Sequence, residues 1–183
     1  MKLHTLIGCF ACVLGLTTWS HAQASPTAAR SGSLQIGGGV TYARPDYAQK
    51  GIGGLSIYGD YDFTRHLGVE GDMHFVNIMT PTDISEDTYL LGPRYRFHYH
   101  RFTPYAKALF GLGRFGFQAP NAYARPASTY TYGVLSFGGG VDLRATKHLN
   151  VRAFDFEYQD WPGFKNNGLS PIVMTAGIAY SFR

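Results

Sequence analysis

An alternation of apolar and polar side chains, renewed in eight stretches of about ten residues, constrains this chain more than any other feature. The stretches run over about 33–43, 51–63, 67–77, 87–97, 102–114, 130–144, 149–158 and 172–182. A period of two belongs to a strand whose faces meet different surroundings. From Leu67 to Val76, Leu67, Val69, Met73 and Phe75 share one face, and Glu70, Asp72 and His74 share the other. From Leu55 to Phe63 the split is Leu55, Ile57, Tyr61 and Phe63 against Ser56, Tyr58, Asp60 and Asp62. Thr88 to Phe97 and Ser136 to Arg144 repeat the pattern, with Leu90 out of phase on the polar face.

Each stretch is long enough to cross a bilayer when tilted, which takes ~9–11 residues. The connections 64–66, 98–101 and 145–148 are short, whereas 44–49, 78–86, 115–129 and 159–171 are longer. Short turns at one end and long loops at the other are the habit of outer-membrane barrels. Lipid cannot satisfy backbone polar groups, so a sheet in lipid has to close on itself. Two features favour lipid over water on the apolar face. The polar face mixes charge with Gly and Ser, which suits a narrow lumen, and aromatics collect at the ends of the apolar face. Phe63, Phe97, Phe102, Tyr180 and Phe182 lie near the short turns, and Tyr42, Phe75, Tyr89 and Tyr158 near the long loops. Such rings prefer the two headgroup levels. The expected fold is all-β, a closed antiparallel transmembrane up-and-down β-barrel of about eight strands.

The N-terminus carries a different signal. Met1-Lys2-Leu3-His4 is short and positive, Leu6 to Leu16 is apolar, and Ala22-Gln23-Ala24 offers small residues for cleavage. This predicts a secretory signal over 1–24, a flexible lead-in over 25–32 and the barrel over 33–183. The apolar run is too short for a spanning helix, which needs ~20 residues. Cys9 and Cys12 both fall inside the signal, so the mature chain is expected to hold no disulfide or reactive thiol. The net charge of +4 is mild and gives no argument for a nucleic-acid partner.

Three details test the scheme. Pro93 lies inside a strand and removes a ladder donor, so it calls for a bulge or a place near the short-turn end. Arg152 and Asp155 cannot both face inward without a bulge near Ala153-Phe154. Facing lipid instead, a charge at mid-membrane would cost ~2–4 kcal/mol for Arg or Lys and less for an acid, so a bulge is predicted. Finally, Thr64-Arg65-His66-Leu67-Gly68-Val69 echoes Thr146-Lys147-His148-Leu149-Asn150-Val151, which predicts one turn solution used twice.

Gly177, Tyr180 and Phe182 stand in the spacing Gly-x-x-aromatic-x-aromatic at the C-terminus, with Ala176 before and Arg183 after. This chain resembles the small outer-membrane barrels similar to the OmpA transmembrane domain and OmpX. Residues 152–159 with Trp161-Pro162-Gly163-Phe164 also look like single-domain outer-membrane β-barrel proteins of undefined role. The resemblance implies residence in a Gram-negative outer membrane. It also implies that Gly177, Tyr180 and Phe182 form the signal read by the barrel assembly machinery. Outer-membrane lipid and lipopolysaccharide are the expected surroundings, with a monomeric barrel and no cofactor.

The polar faces should bring Asp60, Asp62, Glu70, Asp72, Arg94, Arg96, Lys107, Asp142, Arg144 and Arg152 into the lumen. Eight strands leave an interior just wide enough for side chains to fill, so a packed ionic plug is expected ahead of a gated ion path. An enzyme that modifies lipid would need a Ser beside a His with an orienting acid. His74 has acidic neighbours but no serine nearby in sequence, and His66, His98, His100 and His148 fall in the short turns. His98, His100 and His148 could meet at the rim, but no further ligand completes a metal site there, so none is expected. The runs Gly37-Gly38-Gly39 and Gly138-Gly139-Gly140 lack the Lys-Ser/Thr of a phosphate loop and are read as room for bends and neighbouring rings. Tyr123, Arg125, Trp161, Phe164 and Lys165 in the long loops are candidate contacts for surface partners or anchors at the lipopolysaccharide boundary. The leading expectation is a non-enzymatic barrel with a structural or adhesin-like role. A narrow pore for ions or small solutes is the alternative, with a lipid-modifying enzyme third.

Overall fold

The computed structural model describes residues 32–45, 51–76, 79, 84–117, 128–164 and 168–182. The signal, the lead-in up to residue 31, and the loop positions Tyr123, Arg125 and Lys165 lie outside them. The described chain forms eight strands: β1 (Ser33–Arg44), β2 (Ile52–Asp62), β3 (Leu67–Phe75), β4 (Ile84–Arg96), β5 (Phe102–Phe117), β6 (Ser128–Arg144), β7 (Leu149–Asp160) and β8 (Ile172–Phe182). They close into an antiparallel barrel in chain order. β1 meets β8 from Leu34↔Phe182 to Arg44↔Ile172, which removes both sheet edges. The strands match the alternating stretches to within about three residues. The largest difference is that β4 starts at Ile84 and β5 continues to Phe117, because cross-strand pairing carries the ladder past the clean alternation.

The two faces are inverted relative to a soluble barrel. Ile57 is 51% exposed, Phe110 60% and Phe137 57%, while Asp60 and Glu70 are fully buried. The apolar wall therefore faces outward along each strand, as a bilayer requires and water would penalise. Tyr42, Phe63, Tyr89, Phe97, Phe102, Tyr158, Tyr180 and Phe182 are exposed on this wall near its two ends.

The bulge lies where the charge argument put it. β6 pairs Val141 with Phe154 but Asp142 with Arg152, so Ala153 is the extra residue. Against β8, Arg152 faces Gly177 and Asp155 faces Thr175. The inserted residue moves the inward set from Arg152 to Asp155, Glu157 and Gln159, all buried. Pro93 makes no bulge. It faces Val69 of β3, and the β4–β5 ladder lapses there and resumes in the same register at Arg94↔Lys107, close to the short-turn end.

The twin turns are also alike. Thr64 Oγ1 accepts the N–H groups of His66 (3.3 Å) and Leu67 (2.9 Å). Thr146 Oγ1 accepts those of His148 (3.3 Å) and Leu149 (3.0 Å). In each turn the histidine stacks on a tyrosine of a neighbouring strand, His66 on Tyr95 and His148 on Tyr180.

Candidate functional site

The lumen gathers most of the chain's chemistry. Its half toward the short turns is ionic. Arg94 pairs with Asp60 at 2.6 Å, Glu70 at 3.3 Å and Asp142. Arg152 reaches Glu70 at 2.9 Å, Asp60 at 3.3 Å and Asp142 at 3.4 Å. The guanidinium of Arg94 lies 3.8 Å from the ring centre of Tyr105, and that of Arg152 lies 3.7 Å from that of Tyr58. Stacking of this kind suits the planar cation and fills the space between layers. Gly37 makes room for it, since a Cβ there would stand 2.6 Å from the Tyr58 ring. Nearer the short-turn rim, Arg96 pairs with Asp62 at 2.7 Å.

Lys107 sits deeper, with four carboxylates around one ammonium: Asp155 at 2.6 Å, Glu157 at 2.7 Å, Glu70 at 2.9 Å and Asp72 at 3.2 Å. Tyr105 donates to Asp155 at 2.7 Å, and Ser136 donates to the second oxygen of Glu157 at 2.8 Å. Desolvating so many charges costs several kcal/mol each and is offset only where partners are close and complete. That condition explains why the deep charges lie in one connected network and Arg96 and Asp62 in a close pair.

The half toward the long loops is apolar. Leu90, Leu109, Phe115, Val134, Trp161 and Leu169 form one buried cluster, with Tyr132 and Phe164 packed against it. Ala43, Ile52, Val76 and Val173 form a second at the same end. Leu90 is thus no misfit: it faces inward as part of this closure. Trp161 is fully buried and donates Nε1–H to Gln159 at 3.3 Å, and Gln159 in turn donates to Glu157 at 3.3 Å. A Cβ on Gly113 would overlap the Trp161 ring, so only glycine leaves it space.

Of the ten charges expected inside, nine are there: seven touch within one network, and Asp62 and the half-buried Arg96 form a separate pair. Arg144 is the correction: it is exposed, because it ends β6 at the rim, where water meets its guanidinium. Trp161 and Phe164 need correcting as well. They belong to the apolar closure rather than to an outward loop surface, because Trp161 Cα follows β7 directly and its ring turns over the barrel mouth. Tyr58, His74, Tyr105, Asp155 and Glu157 join the network beyond the ten charges expected. The bulge was the signal for Asp155 and Glu157, since moving the phase by one residue carries both inward. At the C-terminus, Tyr180 and Phe182 face outward, their ring centres 4.9 Å apart, and Gly177 lies opposite Gly39 of β1.

No serine hydroxyl hydrogen-bonds to a histidine ring among the described residues, and the hydroxyl at His74 is that of Thr88, 3.0 Å from Nδ1. The turn histidines bond elsewhere: His66 Nδ1 meets the carbonyl of Arg96 at 3.0 Å, and His148 Nδ1 that of Ser181 at 3.2 Å. Partial burial, together with Arg96, Arg65, His66 and Arg144 nearby, holds the His98 imidazole below the ordinary histidine value of 6.5.

Solved structures share this architecture at low sequence identity. Ail, the attachment invasion locus protein of Yersinia pestis, was solved in complex with the heparin analogue sucrose octasulfate. It is 18% identical with a TM-score of 0.56, over 83% of this chain and 99% of that one. Neisserial surface protein A is 19% identical with a TM-score of 0.56, over 83% and 97%. The outer membrane protein OprG from Pseudomonas aeruginosa is 16% identical with a TM-score of 0.53, over 84% and 97%. These likenesses concern the fold. Among curated protein sequences no relative is found. The model of the outer membrane protein beta-barrel domain matches residues 9–182, nearly the whole chain. With a closed eight-stranded barrel, an apolar outer wall and a charged lumen, this chain belongs to the outer membrane protein beta-barrel family.

Proposed function

We propose that this protein is a non-enzymatic outer-membrane barrel with a structural and surface-interacting role. Partners would meet its long loops rather than its lumen. The supporting observation is the double closure of the interior: Lys107, Arg94 and Arg152 tie the middle together, and the Trp161 cluster covers the end toward the long loops. A pore would need a continuous water-lined path through both. A lipid-modifying enzyme would need its histidine on the outer wall, whereas His74 is fully buried inside. Tyr123, Arg125 and Lys165 remain the loop residues proposed to carry contacts, and lipopolysaccharide and the assembly machinery remain proposed partners. The attachment role in the name of Ail suggests the assay.

Two measurements test this reading. Planar-bilayer recording of the refolded mature barrel should show no steady unitary current; a stable conductance would replace the proposal with the pore. Cells displaying the protein should lose attachment to a test surface when Tyr123 and Arg125 become Ala, while the barrel still runs as a folded band on unheated gels. Unchanged attachment would remove the loop from the proposal.

A further inference from the structure

We infer that the centre of the lumen holds a binding site for a divalent transition-metal ion of the zinc class, formed by Asp72 of β3, His74 of β3 and Glu157 of β7. Asp72 and His74 lie two apart on one strand and so face the same way, and Glu157 reaches them from β7 because the bulge has turned it inward. One ligand atom from each lies within 4.8 Å of the others. His74 Nε2 stands 3.6 Å from Asp72 Oδ1 and 3.7 Å from Glu157 Oε1. Those separations are too long for hydrogen bonds. They come close to the ~3.4 Å that separates two ligands on a tetrahedral ion with bonds of ~2.0–2.1 Å.

Three further observations point to a cation. Both His74 Nε2 and Asp72 Oδ1 are buried polar atoms without a hydrogen-bond partner, and both are aimed into this gap. Thr88 Oγ1 lies 3.0 Å from Nδ1. With Nδ1–H donating there, the lone pair of Nε2 points at Asp72 Oδ1, which has no donor, and at Glu157 Oε1, which Lys107 already reaches at 2.7 Å; the uncompensated repulsion is that between Nε2 and Asp72 Oδ1, and a cation between them relieves it. This is the way a ligating histidine is normally oriented, with its other nitrogen engaged behind it. Glu157 is held from behind too, by Ser136 and Gln159 on its other oxygen.

Charge balance agrees. Among the described residues seven carboxylates are buried in the ionic half of the lumen, whereas the fixed cations facing inward there are Arg94, Arg96, Lys107 and Arg152. Lys107 binds the other oxygen of Asp72 and leaves Oδ1 for an ion, whereas on Glu157 it donates to Oε1 itself, so that an ion would share this oxygen with the ammonium. The imidazole separates this donor set from all-oxygen sites, which suit magnesium or calcium.

The test is metal content after refolding with zinc chloride and exhaustive dialysis. Wild-type barrel should retain about one zinc per chain, and His74→Gln and Glu157→Gln should each lower retention at least tenfold. Thr88→Val should weaken affinity ~10–100-fold, as expected for the group that orients a ligand. A variant with His66, His98, His100 and His148 all changed to Gln should keep its zinc, which separates this site from binding at the exposed turns. Cobalt in place of zinc should give visible d–d bands in wild type and lose them in His74→Gln. Folding of each variant is checked by its unheated gel band. If a folded wild-type barrel retains no zinc, or if folded His74→Gln retains as much as wild type, the site does not exist and the charge balance is met by protons. None of these outcomes depends on whether the barrel conducts or attaches.

Discussion

Toward the short turns, Arg94 alone reaches three carboxylates, and Arg152 shares all three. Toward the long loops, Leu109, Phe115, Val134 and Trp161 touch one another instead. The passage from one half to the other takes a single inward position on three strands: Lys107 to Leu109, Ser136 to Val134 and Gln159 to Trp161. Both halves fill the same narrow interior, yet they respond differently to change. An ionic cluster depends on completeness, since one lost partner strands several charges. An apolar cluster depends on volume, and its loss is graded by the cavity left behind.

Lys107→Met should have the largest effect. It leaves Glu70, Asp72, Asp155 and Glu157 facing one another, and removing one side of a buried pair costs ~3–5 kcal/mol. Urea unfolding of the barrel in lipid vesicles measures it. A loss near zero would mean that protons or water already neutralise these acids, and would erase the contrast between the halves. Next comes Trp161→Ala, expected to cost ~3 kcal/mol for a large buried ring and to leave the barrel non-conducting, because the ionic half remains shut. Bilayer current in that variant would show that the apolar half alone seals the lumen.

Gly113→Val tests packing at the same spot from the other side. Its side chain would collide with the Trp161 ring, and overpacking typically costs ~1–3 kcal/mol. Combined with Trp161→Ala, it should cost less than the two separate losses together, because the collision is gone.

The smallest effect lies outside both halves, at the rim. The folded His98 imidazole titrates below 6.5, so above that pH it contributes nothing either way. As pH falls through 6.5 the unfolded chain takes the proton first, and stability declines. His98→Gln should remove that share of the decline in a comparison of unfolding at about pH 7 and about pH 5. An unchanged slope would assign the decline to other groups.

Much of the barrel could be read before any coordinates, because strand period is local. Glu70, Asp72 and His74 share a face by parity alone. The bulge was legible for an energetic reason, since Arg152 and Asp155 both had to avoid lipid. Arg144 departs from its parity because parity says which face a residue takes but not how near the rim it lies. Trp161 and Phe164 are not legible from local pattern, because a ring just past a strand end can turn outward or fold over the mouth. The choice depends on Leu90, Leu109, Phe115 and Val134, residues far away in the chain.

The chain's own order of side chains determined the strand count, the inverted faces, the aromatic ends and the repeated threonine turn, because each follows from contacts among near neighbours. The pairing of particular charges, the covering of one end by Trp161, and the meeting of Asp72 and His74 with Glu157 were decided only when β8 closed on β1. Closure sets the stagger between strands, and stagger alone places groups from distant parts of the chain at the same height in a lumen too narrow for water to keep them apart.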